Sequence, residues 1–128
     1  VESYIKGEDI VINGDGSTSR DFCYIENVVQ ANIMAALSDK SEGSSAVYNI
    51  GCGDSTSLKT LAEMIRVILD DLEIESKTSI LYTDFRQGDI EHSLADISLA
   101  KNEIDYLPTQ DIRSGLKDYI STLCFDNN

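Results

Sequence analysis

Four arginines carry the main chemical possibilities of this 128-residue chain. Arg20 and Arg86 each stand at the junction of a turn and a regular element, among Gly and Asp residues, where loops place functional groups. A planar guanidinium with five donors is the side chain best matched to phosphate oxygens, and two of them can hold a diphosphate from opposite sides. Arg66 and Arg113 fall on the polar sides of predicted helices and read as surface residues. The plainer alternative pairs Arg20 with Asp21 or Asp15, and Arg86 with Asp84 or Asp89, as exposed ion pairs worth little. Asp89 either orients Arg86 or accepts from a ribose hydroxyl. Asn13 reads either a base edge or a ribose, and spacing does not choose between these roles.

Catalytic machinery is harder to find. His92 is the only histidine, no Ser, Cys or Asp is tied to it by spacing, and its simplest role is that of a hydrogen-bonded loop residue. No carboxylate pair stands out, and His92 with scattered acids makes no metal pattern, so no catalytic or metal-binding residue is assigned. A dinucleotide site needs a Gly-rich turn between a strand and a helix, because only Gly lets backbone amides approach a pyrophosphate. Gly14-Asp15-Gly16 lacks the third Gly and Gly51-Cys52-Gly53-Asp54 is out of register, so no cofactor-binding residue is assigned either.

Composition narrows the partners. Ten basic against 23 acidic residues give a net charge of −13, which repels a nucleic-acid backbone or an anionic membrane surface. The apolar runs are far too short to cross a bilayer, and an apolar share of 41% with one Pro and eight Gly fits one globular domain. Cys23, Cys52 and Cys124 suit neither a disulfide framework nor a metal knuckle, which points to free thiols in a reducing cytoplasm.

The elements that must position Arg20 and Arg86 follow from periodicity and turn chemistry. A helix end at Val1–Lys6 precedes a strand at Ile10-Val11-Ile12, and Asn13-Gly14-Asp15-Gly16 is a tight turn that leads to Arg20. Asp21 to Ile25 reads as extended, Glu26 to Ser38 as a helix apolar on most sides and packed on more than one face, and Ser38 to Ser45 as a polar loop. Ala46 to Ile50 reads as a strand ending at glycines that let the backbone come close to something. Ser55-Thr56-Ser57 caps a helix whose apolar stripe runs Leu58, Leu61, Ala62, Ile65, Ile68, Leu69, Leu72. Ser79–Tyr82 reads as a strand. A charged turn at Asp84–Asp89 precedes a helix capped by Asp96, and a last helix follows Asp111, ending in a frayed tail at Asp126-Asn127-Asn128. The expected class is α/β, with short strands alternating with helices, in a single domain over residues 1–128.

Three segments in order carry a resemblance: Gly14-Asp15-Gly16-Ser17-Thr18-Ser19-Arg20-Asp21-Phe22-Cys23-Tyr24-Ile25 followed by Val28; Tyr48-Asn49-Ile50-Gly51; and Arg86-Gln87-Gly88-Asp89-Ile90-Glu91-His92-Ser93 with Ala95-Asp96. Together they resemble the extended short-chain dehydrogenase/reductase family of NAD-dependent sugar-nucleotide epimerases and dehydratases. Within it they are most similar to the UDP-N-acetylglucosamine 4-epimerases of bacterial polysaccharide synthesis. The resemblance implies a small C-terminal substrate-binding lobe with the Rossmann domain absent. By the same resemblance Arg20 and Arg86 contact the diphosphate or adjoining nucleotide, Asn13 and Asp89 contribute to uridine and ribose contacts, and Val11 and Leu58 lie near the nucleotide.

It further implies that the partners are a UDP-sugar and the chain's own N-terminal domain, where NAD and a Tyr-x-x-x-Lys base belong. On that reading the chain is an excised piece, inactive alone and prone to self-association. The alternatives are a dehydratase or decarboxylase lobe, or a non-catalytic nucleotide-sugar-binding or assembly module.

Overall fold

The computed structural model describes residues 1–38 and 45–125. Its elements are α1 (Glu2–Lys6), β1 (Ile10–Asn13), β2 (Ser19–Arg20), α2 (Ile25–Leu37), β3 (Thr56–Ser57), α3 (Leu58–Asp71), β4 (Ile80–Thr83), α4 (Ser98–Ile104) and α5 (Ile112–Phe125). The result is the expected mixed α/β class. β1 and β4 pair in parallel, with Ile10 opposite Ile80 and Asn13 opposite Thr83, while β2 and β3 pair antiparallel through Ser19–Ser57 and Arg20–Thr56. The expected polar loop from Ser38 to Ser45 falls mostly outside the described residues, as does the tail Asp126-Asn127-Asn128.

α3 organises the larger core. The Ser57 hydroxyl accepts from the Thr60 amide, satisfying one of the orphan donors of the first turn. The stripe read from the sequence then buries Ala62, Ile65, Ile68 and Leu69, and Ile65, Ile68 and Leu69 pack with Tyr4 of α1 and Ile120 of α5. Burying one such aliphatic side chain contributes about 1.5–3 kcal/mol. Tyr4 adds a buried bond, its hydroxyl donating to the Ala62 carbonyl at 3.0 Å. A second cluster joins Ala31 of α2 to Ile97, Ala100, Ile104 and Tyr106. Tyr106 is fully buried, and its hydroxyl donates to the Gly51 carbonyl at 2.8 Å.

Burial raises the Tyr106 phenol above its ordinary range and pushes the Cys52 thiol up to about 11. Both groups hold their protons more tightly when folded. For Cys52 that stabilisation is fully present below the ordinary thiol value of 9.0 and is lost as pH climbs toward about 11, while the loss from Tyr106 begins only near the ordinary phenol value of 10.0. Thermal melts should show the midpoint falling across that alkaline window, and less steeply in Cys52→Ala; a flat midpoint would contradict this linkage.

Where the structure departs from the sequence reading, a missing partner or a single side chain explains the difference. Among the described residues Ala46 to Ile50 pairs with no strand. Tyr48 and Ile50 instead pack against the second cluster, and Asn49 Nδ2 donates to the Asp96 carbonyl at 3.3 Å. The extended piece expected from Asp21 to Ile25 stops one residue early, since Tyr24 is extended but Ile25 already opens α2, and the strand pairing sits just before it, at Ser19–Arg20. α2 is not packed on several faces. It buries Asn27 and Ala31, while Val29, Ile33 and Leu37 are 49%, 55% and 78% exposed.

Asn27 anchors that helix. Its Nδ2 donates to the Gln110 carbonyl at 2.8 Å, and its Oδ1 accepts from the Thr109 and Gln110 amides at 2.9 and 3.0 Å. Gly115 of α5 serves a neighbouring contact, since a Cβ there would lie 2.6 Å from Tyr24 Cγ. Gly115→Ala should therefore destabilise the fold by about 2 kcal/mol in urea titration, even though Ala favours a helix by about 1 kcal/mol. A stabilised variant would show that Tyr24 yields freely.

Candidate functional site

The turn after β1 is built on glycine. Gly14 and Gly16 have φ of 79° and 82°, and a Cβ on Gly14 would run into the Phe85 ring. The Gly14 amide donates to the Thr83 carbonyl at 2.9 Å, and the Thr83 hydroxyl donates to Asn13 Oδ1 at 3.1 Å, so Asn13 is fixed at the strand end. On the other side of the turn the Lys59 amide donates to the Gly16 carbonyl at 3.0 Å and the Leu58 amide to the Thr18 carbonyl at 2.9 Å. The start of α3 is thereby held against the turn.

These constraints open a cleft of about 280 Å³ between β1 and α3, lined by Val11, Asn13, Leu58 and Asp89 together with Tyr4 and Leu61. At its Asp89 side stands Arg20. Arg20 Nη2 donates to Asp89 Oδ1 at 3.0 Å, and Nη1 donates to the Ser19 and Glu91 carbonyls at 2.8 and 3.3 Å. Three of five donors are thus engaged, which leaves the guanidinium oriented with donor capacity to spare. Arg20 pairs with neither of the two neighbours considered from the sequence. Asp15 instead accepts from the Ser17 amide at 2.9 Å, and Asp21 turns the other way.

Arg86 is the outlier of the six residues singled out. Neither arginine lines the cleft, but Arg20 is tied to it through Asp89, whereas Arg86 is exposed and only its carbonyl takes part, accepting from the Asp89 amide at 3.2 Å across the Arg86–Asp89 turn. Neither Asp84 nor Asp89 forms an ion pair with it among the described residues. The other two arginines behave as ordinary surface groups, Arg66 bonding Glu63 at 2.6 Å and Arg113 facing Asp71 at 3.5 Å. A larger cavity of about 500 Å³ lies between α3 and α5, lined by Phe22, Tyr24, Leu61, Leu116 and Tyr119. No charged side chain lines it, and its walls are mainly apolar.

Comparison with known proteins gives this chain its relatives. Residues 1–51 match the model of the NAD dependent epimerase/dehydratase family. UDP-glucuronate 4-epimerase 4 of Arabidopsis thaliana is 32% identical over 130 residues, covering 91% of this chain and 29% of that protein. The solved UDP-N-acetylglucosamine 4-epimerase of Methanobrevibacter ruminantium, in complex with UDP-N-acetylmuramic acid, is 36% identical with a TM-score of 0.74, covering 94% of this chain and 37% of that one.

The chain belongs to the NAD-dependent epimerase/dehydratase family.

A second solved structure, the UDP-glucuronic acid 4-epimerase of Bacillus cereus with UDP-glucuronic acid and NAD, is 27% identical with a TM-score of 0.76, over 95% of this chain and 38% of that one. The chain thus spans well under half the length of each of these relatives. The described residues of this family member do not fit NAD. The turn after β1 leads to β2 rather than to a helix. Gly51 serves packing, since a Cβ there would lie 2.5 Å from Asp21 Oδ2 and 2.9 Å from the Ala95 Cβ. No backbone cradle for a pyrophosphate results. Among the described residues no three His, Cys, Asp or Glu side chains gather as a metal site, and no helix is long and apolar enough to cross a membrane.

Two residues of structural weight escaped the sequence reading. Asp21 Oδ1 accepts from the Cys52 amide at 2.8 Å, and its Oδ2 accepts from the Gly53 and Ala95 amides at 2.9 and 3.4 Å. One carboxylate therefore holds together segments 30 and more residues apart in the chain. Ser19 is the other, bonded to His92 and Ser55. The signal for Asp21 was present as an acid beside an arginine facing a Gly-x-Gly. Nothing in the spacing separated it from an ion-pair partner.

Proposed function

We propose that residues 1–128 form the C-terminal UDP-sugar-binding lobe of an NAD-dependent UDP-hexose 4-epimerase, with UDP-N-acetylglucosamine as the preferred class of substrate. The observation that carries this reading is the cleft where Val11, Asn13, Leu58 and Asp89 converge beside an Arg20 already oriented by three hydrogen bonds. Arg20 and Arg86 contact the diphosphate, Asn13 and Asp89 contribute to the uridine and ribose contacts, and Val11 and Leu58 supply apolar walls. Arg86 sits on an exposed turn and closes on the phosphates when ligand arrives.

A net charge of −13 makes that cationic pair the natural place for an anion. Held this way, the nucleotide retains the sugar while its reacting end faces the N-terminal domain, which binds NAD and carries the chemistry. The exposed apolar ridge of α2 supports such a covering domain. Alone, the chain binds but does not catalyse, and its ridge drives concentration-dependent self-association in gel filtration. A clean monomer at every concentration would remove that part of the reading.

Calorimetric titration tests the binding claim. UDP should bind at least about tenfold more tightly than uridine, because charge-assisted hydrogen bonds to phosphate are worth about 1.5–3 kcal/mol. Equal affinities would show that no diphosphate clamp exists.

A further inference from the structure

His92 lies three residues beyond Asp89 and is joined to β2 rather than to any acid. Its Nδ1 is 2.9 Å from the Ser19 hydroxyl, which in turn accepts from the Ser55 hydroxyl at 2.9 Å. Ser19 Oγ accepts from the Ser55 hydroxyl, which leaves its own proton available to His92 Nδ1. Backbone bonds flank this contact. The Ser19 amide donates to the Glu91 carbonyl at 2.9 Å, and the Ser93 amide donates to the Ser19 carbonyl at 3.2 Å.

Those carbonyls matter to the neighbouring arginine. The Ser19 and Glu91 carbonyls that bracket the contact are the same two that receive Arg20 Nη1 at 2.8 and 3.3 Å, and Asp89, on the same segment, receives Nη2 at 3.0 Å. The orientation of the guanidinium thus depends on how segment 89–93 is seated on β2. Ser19, the centre of this chain, is 9% exposed, while His92 and Ser55 at its two ends are exposed.

We propose that His92 is a positioning residue, which sets the guanidinium of Arg20 through the Ser55–Ser19–His92 chain and so presents its remaining donors to a phosphate. The phosphate half of this statement rests on the binding reading above; the seating of Arg20 does not. His92 touches no ligand in this account and acts only through Ser19 and the Glu91 carbonyl.

The test uses the chain labelled with 15N-arginine, whose four side-chain Nε–H signals are assigned by Arg20→Ala. In His92→Leu the Arg20 signal should lose order and UDP affinity should fall roughly fivefold, whereas His92→Asn, which places an oxygen where Nδ1 stands, should restore order and most of the affinity. Unchanged Arg20 order in His92→Leu overturns the proposal, as does a loss that His92→Asn does not rescue. Loss of order with rescue supports the positioning whether or not UDP binds. Absence of UDP binding to the unaltered chain overturns the diphosphate reading alone.

Discussion

Arg20→Ala should weaken UDP binding by roughly 10- to 100-fold, the effect of losing charge-assisted hydrogen bonds worth about 1.5–3 kcal/mol. Three features make it the most sensitive position. Its guanidinium is 30% exposed, so the charge is partly desolvated yet open to a ligand. Three hydrogen bonds orient it before any ligand arrives, which reduces the ordering cost on binding. Finally, it sits against Asp89 at the cleft that also exposes Asn13, Val11 and Leu58.

Arg20→Lys keeps the charge but loses the planar fork, and should recover less than half of the lost binding energy. Arg86→Ala should cost less, because an unpartnered, exposed side chain must be ordered when the ligand binds. Calorimetry on the three variants decides. If Arg20→Ala binds UDP as tightly as the unaltered chain, the clamp is wrong and Arg20 is only the seat of a partly exposed ion pair.

Asp21→Ala should produce the largest loss of stability, about 3 kcal/mol by urea titration, since three backbone amides lose one charged acceptor together. Asp21→Asn separates shape from charge. Both carboxylate oxygens accept from N–H groups, so an amide must turn its own NH2 against at least one of them, and this variant should lose nearly as much as the alanine. An asparagine as stable as the native residue would mean that those contacts contribute by packing alone. Because Asp21 adjoins Arg20 and holds the Gly51–Gly53 turn, the alanine should also loosen the cleft.

The helices were legible because their signals are local. The stripe from Leu58 to Leu69 and the hydroxyl of Ser57 specify α3 without help from the rest of the chain. Asp111 specifies the start of α5 in the same way, its Oδ1 accepting from the Ser114 amide at 2.7 Å. Strand pairing is different, since it depends on what lies alongside. Ala46 to Ile50 has strand composition but pairs with no strand among the described residues, whereas Ser19–Arg20 and Thr56–Ser57 are polar pairs that form a ladder because the Gly16 turn brings them together.

The site was legible in part for a similar reason. Val11, Asn13, Leu58 and Asp89, which the resemblance implied, stand around one cleft, yet the partner of Arg20 lies 69 residues away and no local pattern announces it. α2 shows the opposite limit. Its apolar residues read as core, but Val29, Ile33 and Leu37 face outward, because composition reports that a surface is apolar without saying what covers it.

The most direct test of the central claim is a 15N-resolved titration of the chain with UDP. The account predicts that shifts concentrate at Val11, Asn13, Arg20, Leu58, Arg86 and Asp89 and saturate together. Shifts centred on the apolar cavity near Phe22, Leu116 and Tyr119, or no shifts at saturating nucleotide, would contradict it.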